Sequence, residues 1–400
     1  MTEPQTPAPT TPLSTQQIHH PYQPPEGFGA VPPGVYKAST VIFPNVAALR
    51  ARDWRNKNGY TYGLHGTPTT FTLEERIATL EGGRHCVLAP SGLSAIVLTD
   101  IALLRRGDEV LLPNNVYSPS KEFARTLLAQ WGITFKLYDP MDPPTLAAAI
   151  SERTKLAWFE APGSISMEFP DLRALVRIAR ERGVRTALDN TWGAGVALKP
   201  FDLGDGIGVD LSMNALTKYP SGGADILMGS VVTSDSGLHE QLLLAHMRLG
   251  IGVAANDAEF VLRSLPTLEV RYRAHDASAR IVARWLQRQP LVRHVMHPAL
   301  PGAPGHAHWA AHCSAAAGLF SFLLDSGLPA ERVDAFIDAL RLFKLGYSWG
   351  GPASLAVPYD IQAMRGDAAR WSGHLVRLSI GLEAADDLIA DLDQAMRLLR

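Results

Sequence analysis

One lysine stands among residues that suit it for chemistry. Lys218 follows a strand-like alternation at 211–215 and precedes a turn, 220–223, after which a β-rich run at 226–232 begins. Thr217 comes immediately before the lysine, and Asp189 ends an earlier apolar stretch. A lysine at the end of a strand is usually a solvated charge. Its neighbours, rather than the lysine alone, therefore support a catalytic role.

The lysine, aspartate and threonine side chains supply groups that together could bind one kind of cofactor. A lysine amine can form a Schiff base with a carbonyl, and a carboxylate can pair with a pyridinium nitrogen. Small and hydroxyl residues can hold a phosphate. Lys218, Asp189 and Thr217 supply such groups. The sequence therefore predicts a site for pyridoxal 5'-phosphate (PLP).

A repeated strand–helix pattern surrounds these residues. Strands are predicted at 86–89, 109–112, 133–138, 156–160, 185–189, 211–215 and 226–232. Helices are predicted between them at 93–104, 119–131, 144–151 and 171–182. This alternation indicates an α/β fold with a mostly parallel, doubly wound sheet and helices on both faces.

Ligands of such sheets bind beyond the carboxyl ends of the strands. Asp189 and Lys218 fall at two of these ends. Ser91, Gly92 and Leu93 form a small-residue turn at a third end, where free amides and the start of a helix suit a phosphate. An ordinary tight turn between a strand and a helix explains the same three residues equally well.

The pattern changes after Ser234. Helices at 241–249, 257–265, 268–287, 330–340 and 385–399 and strands at 318–324 and 375–380 predict a smaller α+β domain. Arg377 interrupts the last of these strands and needs an anionic partner, either a substrate carboxylate or a structural one. A glycine-bracketed turn at 346–351 contains Tyr347, Ser348 and Trp349.

Composition and charge narrow the class of protein. The 400 residues are 46% apolar and 19% charged, which is typical of a globular chain. The net charge of −2, without a basic block, gives no support for a nucleic-acid or membrane partner. Cys86 and Cys313 alone do not predict a disulfide framework, and the start of the chain does not resemble a signal peptide, so we expect a cytoplasmic location. His306, His308 and His312 lack a neighbouring glutamate, so no metal site is predicted.

Four segments are expected along the chain. Residues 1–34, rich in proline and threonine, predict a disordered tail. Residues 35–66 predict an arm that lies on a neighbouring surface. The PLP-binding domain is expected at 67–262 and the C-terminal α+β domain at 263–400.

Several stretches resemble one enzyme family. The segments 187–195 (ALDNTWGAG), 212–229 and 297–302 (HPALPG) look like the Cys/Met-metabolism PLP-dependent enzymes. Three others, 163–168 (GSISME), 347–351 (YSWGG) and 377–383 (RLSIGLE), resemble the bacterial cystathionine β-lyase branch of that family. The resemblance covers nearly the whole chain apart from the tail. It implies the aspartate aminotransferase-like, type I fold of PLP-dependent transferases.

The resemblance also implies catalytic roles. Lys218 would bind PLP covalently and, once displaced by substrate, move the proton from the substrate Cα. Asp189 would keep the pyridine nitrogen protonated. Tyr117 would stack on the ring and assist the proton transfers.

Cofactor binding and assembly are implied in the same way. The amides of Gly92 and Leu93 and the hydroxyl of Thr217 would hold the phosphate. Tyr62 of a neighbouring subunit would join them, because the family is typically a homotetramer built of catalytic dimers. The arm at 35–66 would thus contribute to the neighbouring active site.

Substrate binding and reaction follow from the resemblance as well. Arg377, helped by the Ser348 and Trp349 backbone, would bind the α-carboxylate of an amino acid, and Tyr117 would also bind the substrate. The implied reaction converts L-cystathionine and water to L-homocysteine, pyruvate and ammonia, a transsulfuration step of methionine biosynthesis, with other cysteine S-conjugates as further substrates. The alternatives are a cystathionine or methionine γ-lyase, an O-acylhomoserine sulfhydrylase and a non-catalytic PLP-binding protein. Tyr347 favours the β-lyase branch, since γ-acting relatives tend to carry glutamate there.

Two positions depart from the family's pattern. The arm usually reads Tyr-x-Arg, with the arginine on the phosphate across the dimer, whereas this chain has Leu64 followed by His65. Leucine cannot replace a bidentate cation. We therefore expect weaker retention of the cofactor or compensation by His65. Met247 stands where β-lyases carry a tyrosine near the substrate, which bears on the substrate more than on the chemistry.

Overall fold

A seven-stranded sheet forms the centre of the larger domain. The computed structural model describes residues 11–22, 24–55, 57, 59–365 and 370–399. The strands of this sheet are β1 (His85–Ala89), β2 (Glu109–Pro113), β3 (Thr134–Tyr138), β4 (Thr154–Glu160), β5 (Arg185–Asp189), β6 (Leu211–Asn214) and β7 (Gly229–Thr233). Their order is β1-β7-β6-β5-β4-β2-β3. Strands β2 to β6 pair in parallel and β7 is antiparallel to β6 and β1, so the prediction of a mostly parallel sheet is confirmed.

Helices surround this sheet and continue into the smaller domain. Among the described residues they are α1 (Leu13–Ile18), α2 (Val46–Arg50), α3 (Pro68–Glu81), α4 (Gly92–Leu103), α5 (Ser118–Phe123), α6 (Pro143–Ala149), α7 (Leu172–Glu181), α8 (Ser236–Leu249), α9 (Ala255–Ser264), α10 (Leu268–Leu286), α11 (His306–His312), α12 (Ala330–Asp338), α13 (Ile361–Arg365) and α14 (Ala385–Met396). Short 3-10 helices lie at Gly63–His65, Leu265–Thr267 and Arg397–Leu399. None of the described helices combines the length and apolar character that a membrane crossing requires.

Both faces of the large sheet are buried. Val87 belongs to the apolar layer shared with α4 and α8, and its neighbour Leu88 belongs to the layer shared with α3 and α7. Strands β2 and β7 are buried along their whole length. Burial on two faces explains the apolar run 110–112 within β2.

A five-stranded sheet organises the smaller domain. Its strands are β8 (Val292–Met296), β9 (Leu319–Leu324), β10 (Lys344–Leu345), β11 (Leu355–Tyr359) and β12 (His374–Ser379), in the order β10-β11-β12-β9-β8. The prediction of a smaller C-terminal α+β domain is confirmed. Helix α10 joins the two domains: Tyr272 near its start packs in the larger core, and Val282 near its end packs in the smaller one. The segment limits given above remain predictions.

The amino-terminal segment differs from the expectation in one place. Helix α1 lies inside the part expected to be a disordered tail, and its Gln17 is only 2% exposed. Residues 1–10 of that tail lie outside the described residues. Farther along, Thr40 and Tyr62 form an isolated antiparallel bridge, while Ile42 is 91% exposed. The arm therefore has local order and carries uncovered apolar side chains.

Candidate active site

A cavity of about 510 Å³ lies where the carboxyl ends of β4, β5 and β6 face the smaller domain. The predicted site residues in its wall are Gly92, Leu93, Tyr117, Asp189, Thr217, Lys218, Ser348, Trp349 and Arg377. Tyr62 is not part of this wall. Strand ends from the larger domain and Arg377 on β12 of the smaller domain thus meet in one cavity.

Burial tunes the amine of Lys218. Its Nζ donates a hydrogen bond to Ser348 Oγ (2.9 Å) and lies 5.5 Å from the centre of the Trp349 ring. Burial, and then the positive charge of Arg377, lower the pKa of Lys218 to about 8, although Asp189 opposes this shift. About a tenth of the amine is therefore uncharged at pH 7. A nucleophile or a base requires this uncharged form.

A strained turn brings Ser348 and Trp349 to this amine. Ser348 has a φ of 152°, which non-glycine residues rarely adopt. Gly350 follows with a φ of 78°, and a Cβ at this position would lie 2.8 Å from the backbone nitrogen of Tyr219. Glycine is therefore required for the turn to approach the backbone that follows Lys218.

Two carboxyl groups end neighbouring strands in the cavity. Glu160 at the end of β4 is in register with Asp189 at the end of β5, and Asp189 accepts a hydrogen bond from the Thr191 N–H (2.9 Å). Burial raises the pKa of Asp189, whereas its hydrogen bonds with Thr191 oppose this shift. Burial, and then the negative charge of Asp189, raise the pKa of Glu160 well above its ordinary range. Two buried acids side by side favour a cationic group between or beside them, as a pyridinium nitrogen would be.

Tyr117 lies at the mouth of the cavity. Its N–H donates a hydrogen bond to Glu160 Oε2 (2.7 Å), and the residue is 41% exposed. Burial of the hydroxyl, and then the charge of Asp189, raise the pKa of Tyr117. The phenol is therefore neutral near pH 7, and its ring is accessible to a planar ligand.

The amino end of α4 forms another part of the wall. Ser91 caps the helix, since its Oγ accepts a hydrogen bond from the Ser94 N–H (3.0 Å). The amides of Gly92 and Leu93 precede the intrahelical bonds, as anion-binding amides at a helix start do. A Cβ on Gly92 would lie 2.5 Å from Ala215 Cβ. Glycine thus allows this helix to reach the loop that carries Lys218.

Thr217 lines the cavity, but its hydroxyl is already engaged. It donates a hydrogen bond to Met228 O (3.1 Å) and accepts one from the Met228 N–H (3.0 Å). These bonds fasten the Lys218 loop to the residue before β7. As a phosphate ligand, this hydroxyl would have to exchange its bond to the Met228 carbonyl.

Arg377 is a buried cation on the middle of β12, 9% exposed. Within the described part of the chain, no carboxylate oxygen lies within 4.0 Å of its guanidinium. Burial lowers the pKa of Arg377, and the groups that oppose this shift are tyrosines, with Tyr359 the largest. A buried guanidinium without a carboxylate is stabilised by an anionic ligand. The structural carboxylate that was the alternative is not found among the described residues.

The two departures from the family's pattern lie together, away from Lys218. Leu64, His65 and Met247 line a second, smaller cavity. His65 Nδ1 is 2.9 Å from Thr61 Oγ1, and Tyr62 is 46% exposed. Tyr62 is not in the cavity wall that contains Gly92, Leu93 and Thr217, and its predicted role across a dimer stays a prediction.

Among the residues of the cavity wall that do not follow from the sequence analysis are Glu160, Tyr359 and Met364. Glu160 was within reach of the argument, because the strand-end rule that selects Asp189 also selects the end of the predicted strand 156–160. Tyr359 carries no such signal, since its contact with Arg377 depends on the register of two strands. Met364 belongs to α13, a helix the sequence analysis did not predict.

The histidines of α11 have separate surroundings. His306 Nδ1 lies 2.8 Å from Pro298 O, and His308 Nδ1 lies 3.9 Å from Asp171. No three metal-ligating side chains converge anywhere in the described ranges.

The cavity's groups fit PLP at three points. Lys218 offers an amine with a lowered pKa, Asp189 offers a buried carboxyl, and α4 offers the amides of Gly92 and Leu93. These are the groups that a carbonyl, a pyridine nitrogen and a phosphate need.

Comparisons with known proteins agree with this chemistry. Residues 14–397 match the family model described as Cys/Met metabolism PLP-dependent enzyme. The chain is 39% identical to cystathionine beta-lyase of Escherichia coli over 372 residues, covering 91% of this chain and 93% of that one. It is 34% identical to L-methionine gamma-lyase of Pseudomonas putida over 393 residues, covering 96% and 97%.

A solved structure shows the same fold. Cystathionine gamma synthase from Xanthomonas oryzae pv. oryzae, in complex with aminoacrylate and cysteine, aligns with a TM-score of 0.88 at 32% identity, covering 97% of this chain and 98% of that one. The predicted type I fold is confirmed. The chain belongs to the Cys/Met-metabolism PLP-dependent enzyme family, and its cofactor is PLP.

Proposed function

We propose that the protein is a carbon–sulfur β-lyase that converts L-cystathionine and water to L-homocysteine, pyruvate and ammonia. The observation that carries the proposal is the presence of Lys218 and Arg377 in one cavity, where Arg377 has no carboxylate partner among the described residues. Arg377 would bind the substrate α-carboxylate. Other cysteine S-conjugates share the groups at Cα and Cβ and are proposed as further substrates.

The side chains around the cavity would divide the proton transfers. Bound PLP supplies an electron sink for negative charge at Cα. Lys218, with a pKa of about 8, would take the proton from Cα. The thiolate that leaves Cβ needs a proton, and the neutral Tyr117 hydroxyl and the protonated Lys218 can donate one. The Ser348 hydroxyl would hold Lys218 in place between these steps.

Sequence similarity supports β-elimination over γ-elimination. Identity is 39% to the E. coli cystathionine beta-lyase and 34% to the P. putida methionine gamma-lyase. The β-lyase-like segment 347–351 carries the contact between Ser348 and Lys218. γ-Elimination is the second candidate, because the γ-acting relatives cover the chain equally well.

The proposal includes the assembly and the setting. We propose a homotetramer of catalytic dimers in the cytoplasm, acting in the transsulfuration route to methionine. Tyr62 would reach the phosphate of the neighbouring subunit. With Leu64 in the arginine position, that phosphate would lack a cation from the arm.

A substrate comparison tests this function. PLP-loaded protein should release homocysteine and not cysteine from L-cystathionine, and no thiol from L-methionine, whose sulfur is attached to Cγ. Lys218→Ala should abolish the release, and Lys155→Ala, at an exposed lysine on β4, should retain it. Cysteine released from L-cystathionine, or thiol released from L-methionine, would instead establish γ-elimination.

A further inference from the structure

The ring of Tyr359 packs against the guanidinium of Arg377. Its centre lies 5.3 Å from Arg377 Cζ. In the antiparallel pair of β11 and β12, Arg377 is opposite Val357 and Tyr359 is opposite Leu375. Tyr359 and Arg377 are therefore diagonal neighbours on the same face of the sheet, a spacing that long side chains can bridge.

An aromatic neighbour and a carboxylate neighbour differ in whether they use the N–H donors of Arg377. A carboxylate would accept hydrogen bonds from the N–H groups of the guanidinium, whereas the ring of Tyr359 interacts with its positive charge and supplies no carboxylate oxygen. In the described ranges no carboxylate oxygen comes within 4.0 Å of Arg377. Arg377 lies in the cavity wall, so its N–H groups remain available for an anionic ligand in the cavity.

Tyr359 is itself held from both domains. It is the last residue of β11, and α13 begins two residues later. At the end of α13, Arg365 Nη2 donates a hydrogen bond to Ser164 O (2.9 Å), and its Nη1 lies 3.4 Å from Glu168 Oε1. Both acceptors belong to the larger domain. The chain on either side of Tyr359 is therefore anchored, which restricts where its ring can lie.

We propose that Tyr359 is a positioning residue for the substrate carboxylate. By packing against Arg377, its ring restricts the guanidinium to positions from which the N–H groups reach the α-carboxylate. This inference rests on the proposed amino-acid substrate and adds a residue to its binding site. Because Tyr359 acts on the carboxylate and not on Cα or Cβ, its loss affects KM rather than kcat.

The holoenzyme and two variants test the inference. Tyr359→Leu removes the ring, and Tyr359→Phe keeps it without the hydroxyl. We expect Tyr359→Leu to raise KM for L-cystathionine about tenfold with kcat changed by less than about twofold, and Tyr359→Phe to restore most of the loss. Calorimetry should show L-alanine, which has a carboxylate but no leaving group, binding about tenfold more weakly to Tyr359→Leu. Ethylamine, which lacks the carboxylate, should bind the wild type and Tyr359→Leu equally.

Several results would overturn the inference. They are an unchanged KM in Tyr359→Leu, an equal loss in Tyr359→Phe, and an equal weakening of L-alanine and ethylamine. In an Arg377→Gln background, the difference between the Tyr359 variants should disappear, and a persisting difference would place the ring's effect elsewhere. If the wild type cleaves no sulfur amino acid, the proposed function fails, and the L-alanine titration still decides the role of Tyr359.

Discussion

At the residue scale, the site depends on the protonation state of Lys218. Burial and Arg377 lower the pKa of Lys218 from 10.5 to about 8. Only the uncharged amine attacks the carbonyl of PLP. We expect PLP uptake by the cofactor-free protein to accelerate about tenfold between pH 6 and pH 7 and to level off above pH 8. Stopped-flow absorbance measures this rate.

Two variants check the cause of that profile. Arg377→Gln removes a cation that lowers the pKa of Lys218, so the profile should move to higher pH. Asp189→Asn removes the anion that raises it, so the profile should move to lower pH. A wild-type midpoint near the ordinary lysine value of 10.5 would contradict the effect of burial.

Some site residues can be predicted from the sequence because their neighbours in the chain mark the position. Lys218, Asp189 and Gly92 each stand where a strand ends or a helix begins, so a one-dimensional pattern can select them. Arg377 is conspicuous because it interrupts an apolar strand. Tyr359 is different, since its role comes from the pairing of β11 with β12, which the sequence alone does not specify.

At the element scale, the close approach of α4 to the Lys218 loop limits what position 92 tolerates. In Gly92→Ala, the new Cβ would lie 2.5 Å from Ala215 Cβ, so the helix start or the loop must move. We expect the dissociation constant of PLP to rise at least about tenfold, with a stability loss of about 1–3 kcal/mol. Equilibrium dialysis and thermal unfolding measure the two effects. Gly29→Ala, where a Cβ meets no atom within 4 Å, is the matched control and should change neither.

Helix α4 also carries a buried acid. Asp100 Oδ1 accepts a hydrogen bond from Trp158 Nε1 on β4 (2.8 Å), and burial raises the pKa of Asp100 to about 7. Because the folded state holds this proton more tightly than the unfolded state, Asp100 should reduce stability as pH rises from about 4 to 7, by up to about 1.4 kcal/mol per unit. Asp100→Asn keeps an acceptor for Trp158 and should remove this slope. Denaturant unfolding at pH 5 and pH 8 tests this prediction. An equal change in the free energy of unfolding between these two pH values in wild type and variant would contradict the raised pKa of Asp100.

The elements themselves were predictable to within a few residues where apolar runs are bounded by polar residues. The strand at 185–189 was predicted with its observed limits. The predicted strand 226–232 begins earlier than the observed strand β7, which starts at Gly229. The difference arises because Met228 bonds to Thr217 instead of entering the sheet. The helix predicted at 119–131 changes to π-helical geometry at Ala124–Leu128. Such shifts depend on tertiary contacts that periodicity does not contain.

At the scale of the whole molecule, the arm bears on the proposed assembly. Ile42 is 91% exposed, Val46 58% and Tyr62 46%, on a segment that has local order. Exposed apolar residues on an ordered arm are typical of a surface that another subunit covers. We expect sedimentation equilibrium to show dimers or tetramers, and a monomer at micromolar concentration would contradict the proposed assembly.

Hybrid subunits test whether Tyr62 acts across that assembly. Tyr62→Ala and Lys218→Ala proteins should each be impaired. After unfolding and joint refolding, a dimer with one of each has one complete site, because its intact Lys218 meets the intact Tyr62 of the other subunit. We expect about a quarter of the wild-type activity from an equal mixture. Activity no higher than that of the Tyr62→Ala protein diluted to half would place Tyr62 in its own subunit or outside the site.

The central claim is that the protein breaks the bond between sulfur and Cβ of L-cystathionine. Identifying the keto acid that is released tests this claim most directly. PLP-loaded protein is incubated with L-cystathionine, and both products are identified by mass spectrometry, with Lys218→Ala as the control. β-Elimination predicts pyruvate with homocysteine in equal amounts and neither product from the control. 2-Oxobutyrate with cysteine would contradict the account and assign the protein to γ-elimination.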